Sequence, residues 1–289
     1  MIKKKLGFIG TGVMGKSMAK HLLLSGYPLY IYNRTKTKAQ ELLDLGASWC
    51  ESPAELAEQA DIILTIIGEP KDVEEVYLGA GGILPNSRPG QMVIDMTTSK
   101  PSLAKKIYER AKERGVHALD APVSGGDIGA KEGTLAIMVG GDREAFQAAR
   151  PILDIIGENI VYQGGPGAGQ HTKMCNQIAI ASNMIGVCEA MLYAHKAGLD
   201  QETVLKSIST GAAGSWSLSQ LAPRMIKQDY KPGFYIKHFI KDMRIALEEA
   251  ERMDLPLPGL EKAKEMYGQL AAKGEQDSGT QALIKYWNE

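Results

Sequence analysis

The chain has 289 residues, a length that predicts about two compact domains. Hydrophobic residues make up 44% of the chain and charged residues 23%, a composition that supports a buried core and excludes a disordered chain. Lysine and arginine number 33 against 34 aspartates and glutamates. The chain therefore lacks the basic character of a nucleic-acid-binding protein, and a small molecule is the expected partner.

The first half alternates short β-rich runs with helical segments, the pattern of a doubly wound α/β sheet of parallel strands. Helices are predicted over 13–25, where Met14, Met18 and Leu22 recur at helical spacing, and over 101–114, with proline in the first turn. The predicted strands are 5–9, 29–32, 62–66, 92–96 and 116–120, and two more, 135–139 and 159–162, extend the far side of the sheet.

The pattern changes at the glycine-rich segment 164–169, after which almost everything is predicted helical. We therefore predict a dinucleotide-binding sheet domain over 1–164 and an all-helical substrate and oligomerisation domain over 165–289. The predicted helices cover 170–197, a segment from Gln201, 241–253, 259–272 and 279–287. The most apolar stretch, 174–193, contains Asn183 and Glu189, which are costly in lipid, so no membrane span is predicted.

Cysteine usage and the N-terminal sequence both bear on location. Cys50, Cys175 and Cys188 are widely spaced and form no C-x-x-C pair. The apolar run Leu6–Ile9 ends at Gly10 and is too short for a secretory signal. These features predict a protein of a reducing compartment, the cytoplasm. No two histidines stand at metal-ligand spacing, so no catalytic metal is predicted.

A glycine motif follows the first predicted strand. Gly10-Thr11-Gly12-Val13-Met14-Gly15 is a G-x-G-x-x-G at the start of a predicted helix, the context in which this motif binds dinucleotides. Gly10 permits the tight turn, Gly12 lets the backbone approach a pyrophosphate, and Gly15 lets helix and strand pack closely. Because the helix N-terminus attracts phosphate charge, all six residues are predicted to bind the cofactor.

The second predicted strand ends in Asn33-Arg34-Thr35, where an NAD-specific site usually has an acidic residue for the ribose 2′-hydroxyl. Arg34 offers a guanidinium that can pair with a 2′-phosphate and stack on adenine, and Asn33 and Thr35 can donate hydrogen bonds to that phosphate. This favours NADP as the cofactor, with NAD possible. The alternative is that Arg34 is a solvated arginine in a charged loop with Lys36 and Lys38.

Lys173, near the start of the long predicted helix, is the best candidate for proton transfer. Asn176 and Gln177 follow at i+3 and i+4, so the three side chains project from one helix face. An ammonium protonates the alkoxide that forms in carbonyl reduction, and burial favours the neutral amine that takes the hydroxyl proton in alcohol oxidation. The alternative is a lysine that points to solvent, as most lysines do.

The segment Asp120-Ala121-Pro122-Val123-Ser124-Gly125-Gly126 lies at the carboxyl end of a predicted strand, where ligands of open α/β sheets bind. The Ser124 hydroxyl and the backbone N–H groups of Gly125 and Gly126 can hold a substrate carboxylate. The same segment is equally typical of an ordinary turn.

Together these motifs resemble the β-hydroxyacid dehydrogenase family. The family includes 3-hydroxyisobutyrate dehydrogenases, tartronate semialdehyde reductases and glyoxylate/succinic semialdehyde reductases. The resemblance runs nearly end to end, and the segments that carry it are Gly7 to Gly15, Asp120 to Gly126, Gly167 to Asn176, and Lys241-Asp242.

The resemblance implies a Rossmann domain, a long interdomain helix and an all-helical domain that usually supports homodimers or homotetramers. It implies that Lys173 is the catalytic acid/base and that Ser124, Gly125 and Asn176 bind substrate. Some members have asparagine where this chain has Gln177, which leaves open whether Asn176 or Gln177 holds the substrate. The residues that the resemblance places at the cofactor are Ile67, Gly68, Thr98, Phe234 and Lys241, with Asp242 orienting Lys241.

These features predict an NADP-preferring oxidoreductase that interconverts a small β-hydroxy acid and its semialdehyde, with hydride transfer at the nicotinamide C4. A 3-hydroxyisobutyrate dehydrogenase is the first expectation, and a glyoxylate/succinic or tartronate semialdehyde reductase is the alternative. A protein of another class, a dinucleotide-binding module without catalysis, is disfavoured because Lys173 is retained.

Overall fold

The computed structural model describes residues 3–287, so residues 1–2 of the first predicted domain and 288–289 of the second lie outside it. The chain divides into two compact units, one that ends at Lys173 and one that begins at Met174. This division falls inside a helix, whereas the sequence predicts a domain boundary at 164/165, in the glycine-rich segment. The boundary at 164/165 stays a prediction.

The first unit contains a nine-stranded sheet, in which each strand predicted from the sequence is present to within two residues at either end. The strands are β1 (Leu6–Ile9), β2 (Leu29–Tyr32), β3 (Ser48–Trp49), β4 (Ile62–Thr65), β5 (Met92–Asp95), β6 (His117–Asp120), β7 (Val123–Ser124), β8 (Leu135–Gly141) and β9 (Gly157–Gly164). Their order is β3-β2-β1-β4-β5-β6-β8-β7, with β9 paired to β8. All pairs from β3 to β6 are parallel.

The far side of the sheet departs from the parallel pattern that the sequence predicts. Strand β8 runs antiparallel to both β6 and β7, and β9 runs parallel to β8. The chain between β6 and β8 turns back through β7 and the seven-residue helix Gly126–Glu132. This connection differs from the long crossover that joins parallel neighbours, and it returns β8 in the opposite direction.

Helices cover both faces of this sheet, which confirms the doubly wound α/β class. The helices of this unit are α1 (Val13–Leu24), α2 (Gln40–Asp44), α3 (Pro53–Gln59), α4 (Pro70–Leu78), α5 (Pro101–Glu113), α6 (Gly126–Glu132) and α7 (Arg143–Leu153), with 3₁₀ turns at Lys36–Ala39 and Leu84–Asn86. Helices α1, α6 and α7 bury side chains such as Met18 and Ile152 in the core on one face. Helices α3, α4 and α5 bury Leu56, Tyr77 and Ile107 on the other.

The second unit is helical and packs around one apolar core, as the sequence predicts. Its helices are α8 (Ala168–Lys196, which begins in the first unit), α9 (Gln201–Ile208), α10 (Ala222–Ile226), α11 (Ile236–Glu251) and α12 (Pro258–Ala272), with a π-helical segment at Ser217–Leu221 and 3₁₀ segments at Glu275–Asp277 and Thr280–Trp287. Helix α11 begins earlier than the predicted 241 because Ile236 and Phe239 are buried in the core. The last predicted helix is a 3₁₀ helix.

Helix α8, with 29 residues, is the longest helix among the described residues. Among residues 3–287, it is the one helix long and apolar enough to cross a membrane, by a test of length and composition that buried core helices also pass. Its first turns contain polar side chains that make hydrogen bonds inside the protein, such as Gln170 and Gln177. The absence of a membrane span stays a prediction.

Candidate active site

The turn between β1 and α1 contains three glycines with different structural requirements. Gly10 has a φ of +100°, and a Cβ atom there would overlap the carbonyl oxygen of Ile66. A Cβ atom at Gly15 would overlap the carbonyl oxygen of Gly10. A Cβ atom at Gly12, by contrast, would meet none of the described atoms within 4 Å. The fold itself therefore requires glycine at 10 and 15, whereas Gly12 leaves open space beside its backbone.

This open space lies at the start of α1. Gly12 is the N-cap of that helix, and the first-turn N–H groups, including those of Val13 and Met14, have no acceptor within the helix. The Thr11 hydroxyl is buried and has no hydrogen-bond partner within residues 3–287. Helix N–H groups, a hydroxyl and a surface that a Cβ atom would fill are a fit for the pyrophosphate of a dinucleotide.

The end of β2 is fastened to this turn by Asn33. Its Oδ1 accepts a hydrogen bond from the Thr11 N–H at 3.1 Å, and its Nδ2 donates to the Thr35 carbonyl at 2.8 Å. Asn33 therefore shapes the loop with both ends of its amide. The Arg34 side chain is 79% exposed, and one guanidinium nitrogen lies 3.3 Å from Asp72 Oδ1.

A buried polar network fixes the carboxyl ends of β4 and β5. Asp95 Oδ1 accepts hydrogen bonds from the Thr65 hydroxyl at 2.9 Å and from the Thr97 N–H at 3.1 Å. The Thr97 hydroxyl accepts from the Ile67 N–H at 3.0 Å. The Tyr77 hydroxyl lies 2.8 Å from the Thr65 hydroxyl, and burial raises the pKa of Tyr77 well above its usual value, so this phenol stays protonated.

The remaining predicted cofactor residues are found in both units. Ile67, Gly68 and Thr98 are half-buried in the loops that follow β4 and β5. Phe234 precedes α11, and its ring packs against Phe239 with centroids 5.5 Å apart. Within the described part of the chain, no group of three or more His, Cys, Asp or Glu side chains is placed to hold a metal ion.

Helix α8 begins against the ends of β5 and β6. The Asp120 carboxylate accepts hydrogen bonds from the N–H groups of Gly167 and Gln170, both at 2.8 Å. Burial raises the pKa of Asp120 to about 6, and these two bonds oppose that shift. The fully buried Gln170 donates from Nε2 to the Thr97 carbonyl at 2.6 Å and accepts at Oε1 from the Ser99 N–H at 2.9 Å. The helix start is thus joined to both strands.

Ser124, Gly125 and Gly126 lie where the short strand β7 meets α6. Gly125 and Gly126 have φ angles of +129° and +63°, which favour glycine. Ser124 and Gly126 are half-buried and Gly125 is exposed. The segment is a turn, and its last residue is the first of a helix. Binding of a carboxylate there stays a prediction.

Lys173 lies in the second turn of α8, and only 6% of its surface is exposed. The alternative that this lysine points to solvent is therefore wrong. Asn176 and Gln177 follow on the same continuous helix, the first half-buried and the second 1% exposed. Their spacing of three and four residues directs the three side chains to one helix face.

In the second unit, Gln177 joins α8 to α11. Its Nε2 donates to Asp242 Oδ2 at 2.6 Å, and its Oε1 accepts from Asn176 Nδ2 at 2.8 Å. Asp242 Oδ1 lies 3.1 Å from Lys241 Nζ, and both side chains are buried. Because a carboxylate only accepts hydrogen bonds, Asp242 sets the orientation of the Gln177 amide. Because Gln177 Oε1 accepts from Asn176 Nδ2, the Asn176 side chain is held through its amino group, and its carbonyl oxygen takes no part in this contact.

Sequence reasoning missed Asp95, Thr97 and Gln170, although each of them shapes this site. A signal was present for the first two, because polar residues end or follow apolar strands at the edge where ligands of such sheets bind. Gln170 carries no comparable signal. Its partners come near only when the chain is folded.

Two family models match most of the chain. Residues 5–164 match the NAD binding domain of 6-phosphogluconate dehydrogenase, and residues 167–287 match the model described as NAD-binding of NADP-dependent 3-hydroxyisobutyrate dehydrogenase. The second match covers most of the helical segment that follows the glycine-rich run. Both models therefore describe parts of nicotinamide-dependent enzymes.

Individual proteins are similar along their whole length. The chain is 64% identical to an uncharacterised oxidoreductase of Bacillus subtilis over 99% of both chains. It is 40% identical to the 2-hydroxy-3-oxopropionate reductase of Escherichia coli, over 97% of this chain and 96% of that protein. A structure of Mycobacterium tuberculosis 3-hydroxyisobutyrate dehydrogenase with L-serine matches with a TM-score of 0.91 at 29% identity, covering 99% of this chain and 100% of that one.

Proposed function

This chain belongs to the β-hydroxyacid dehydrogenase family and is an NAD(P)-dependent oxidoreductase acting on CH–OH groups, and we propose that it prefers NADP and interconverts a small β-hydroxy acid and its semialdehyde. The observation that carries the proposal is the burial of Lys173 at the start of α8. A 3-hydroxyisobutyrate dehydrogenase is the first candidate, and a glyoxylate/succinic or tartronate semialdehyde reductase is the alternative.

NADP, when bound, accepts or supplies the hydride at its nicotinamide C4. The residues that would hold its pyrophosphate are Thr11, Gly12 and the first turn of α1, where the backbone leaves room. Arg34 would pair with the 2′-phosphate, since its guanidinium is exposed at the end of β2 and only one of its nitrogens contacts Asp72. The description of the second family model as NADP-dependent supports this preference.

Lys173 would move the proton that accompanies the hydride. In oxidation, its neutral amine accepts the proton of the substrate hydroxyl as the hydride leaves the carbon that bears this hydroxyl. In reduction, its ammonium returns the proton to the alkoxide oxygen. Burial of Lys173 supports this role, because an amine removed from water exchanges its proton with the bound substrate during hydride transfer, and its exchange with solvent takes place between turnovers.

Polar groups on either side of Lys173 in the sequence would hold the substrate. The Ser124 hydroxyl and the N–H groups of Gly125 and Gly126 are proposed to bind its carboxylate. Asn176 rather than Gln177 is the amide proposed to contact it, because both ends of the Gln177 amide are hydrogen-bonded within the second unit. Fixed contacts of this kind supply the orientation that hydride transfer requires.

Replacement of Lys173 tests this proposal. We expect Lys173→Ala to lower kcat by about 10²- to 10⁴-fold, the usual contribution of a positioned acid/base, with NADPH binding by fluorescence titration unchanged. Lys196→Ala, at the exposed end of the same helix, is the matched control and should keep the wild-type kcat. A Lys173→Ala enzyme that turns over at the wild-type rate would exclude this mechanism.

The substrate is identified by kcat/KM for 3-hydroxyisobutyrate, tartronate semialdehyde, glyoxylate and succinic semialdehyde, each with both nicotinamide cofactors. The names of the similar proteins support short substrates, because 2-hydroxy-3-oxopropionate and L-serine are both three-carbon carboxylates with oxygen on the β-carbon. Tight NADPH binding without turnover of any of these compounds would instead favour a non-catalytic module.

A further inference from the structure

The side chain of Gln170 makes hydrogen bonds to the backbone on both sides of Thr98. Its Nε2 donates to the Thr97 carbonyl at 2.6 Å, and its Oε1 accepts from the Ser99 N–H at 2.9 Å. Thr98 lies between these two contacts in the loop after β5, and it is one of the proposed cofactor residues. Lys173 lies three residues after Gln170, one turn further along α8. One side chain therefore connects the Thr98 loop to the helix that carries the proposed proton-transfer group.

The Gln170 amide has a defined orientation and is completely buried. A carbonyl group accepts and an N–H group donates, so the Gln170 amide fits this loop in one orientation only. Gln170 is 0% exposed, and water cannot replace its contacts without opening the core. The Gln170 N–H is also held by Asp120 at 2.8 Å, which fixes the helix start to the end of β6. Backbone and side chain of Gln170 thus tie α8 to two neighbouring strands.

We infer that Gln170 is a positioning residue for the reaction: it sets the distance between the cofactor loop around Thr98 and the amine of Lys173. The inference rests on the proposed function, in which the hydride leaves a carbon and the proton leaves the oxygen bonded to it. The acceptors of hydride and proton must then stand at one fixed separation. A displacement of about 1 Å in such an arrangement costs about 100-fold in rate.

Gln91 provides a matched control within the same sheet. It is 2% exposed, and its Nε2 donates to the carbonyls of Ala57 and Ala60 at 2.6 and 2.7 Å. Its Oε1 accepts from the Arg88 N–H at 2.6 Å. Gln91 immediately precedes β5, so it fastens the amino end of the strand whose carboxyl end is fastened by Gln170. The two glutamines make the same kind of contacts at opposite ends of one strand.

The test compares Gln170→Met with Gln91→Met in the full-length enzyme. Both substitutions remove buried amide contacts, so both should lower the melting temperature. Only Gln170→Met should lower the single-turnover rate constant of NADPH oxidation, by about 10- to 100-fold, with little change in KM or in NADPH affinity. The single-turnover rate constant is independent of the fraction of protein that is folded, so a loss of stability alone does not change it.

A second variant keeps the test valid if Gln170→Met does not fold. Gln170→Asn keeps both polar groups on a shorter side chain that can reach only one of its two partners, so its rate constant should fall between wild type and Gln170→Met. Equal rate constants for the wild type and both Gln170 variants, or an equal loss in Gln91→Met, would overturn the inference. The proposed function fails separately, through a Lys173→Ala enzyme that retains wild-type kcat.

Discussion

Two places in the first unit are rich in glycine, the turn after β1 and the start of α8. They differ in what lies beside the glycine backbone. At the turn, the space beside Gly12 is empty of described atoms within 4 Å. At the start of α8, a Cβ atom at Gly169 would overlap the Met138 carbonyl oxygen, and one at Gly140 would lie 2.6 Å from Asp120 Oδ1. The first place keeps room for a ligand, and the second is filled by the protein itself.

The difference separates glycines that the packing of the fold requires from a glycine that leaves space for a ligand. A Cβ atom at Gly10 or Gly15 would clash with backbone atoms, so folding requires glycine at both positions. Glycine is required at Gly12 only if a ligand approaches its backbone. Gly140 and Gly169 are required near the start of α8 because helix and strand ends are packed in contact there. Substitutions at Gly169 and at Gly12 should therefore have different effects: the first should lower stability, and the second should weaken cofactor binding.

The largest effect on stability is expected at Gly169. Gly169→Ala forces a methyl group against the Met138 carbonyl and the Asp120 backbone, and we expect the free energy of unfolding to fall by about 1–3 kcal/mol, the usual cost of overpacking. Urea denaturation measures it. Gly186→Ala is the control, because Gly186 lies in the same helix with no described atom within 4 Å of an added Cβ. That change should leave stability equal or raise it by up to about 1 kcal/mol. Equal losses in both variants would contradict the packing difference.

At Gly12 the expected effect is on binding. Gly12→Ala should keep the free energy of unfolding within about 1 kcal/mol of wild type, since only N-cap preference changes. It should weaken NADPH binding by about tenfold or more, equivalent to roughly 1.4 kcal/mol, because a methyl group would occupy the pyrophosphate position. Fluorescence titration and urea denaturation measure the two quantities. Gly81→Ala, at an exposed glycine also clear of described atoms within 4 Å, should change neither. Unaltered NADPH affinity in Gly12→Ala would show that the space serves no cofactor.

How much the sequence reveals depends on the range of the contacts. The turn from Gly10 to Gly15 is a local structure, so its motif predicts both its geometry and its partner. The carboxyl-end position of Asp120 is equally predictable, but its contact with Gly167 joins residues 47 positions apart. The Gln170 contact with Thr97 spans 73 positions. Burial of Lys173 likewise depends on what packs around α8, which helical spacing alone does not specify.

Arg34 extends the comparison to the edge of the open turn, where the expected effect is on the choice between the two cofactors. Arg34→Asp should lower the ratio of kcat/KM for NADPH to that for NADH by at least about tenfold, because a charged hydrogen bond to phosphate contributes about 1.5–3 kcal/mol. Lys36→Asp makes the same change of charge two residues away, in a side chain 55% exposed and 3.6 Å from Glu51. It should shift the ratio only slightly, since exposed charges are screened by salt. Equal shifts in the two variants would mean that general electrostatics, and not a contact from the Arg34 guanidinium, decides between the cofactors.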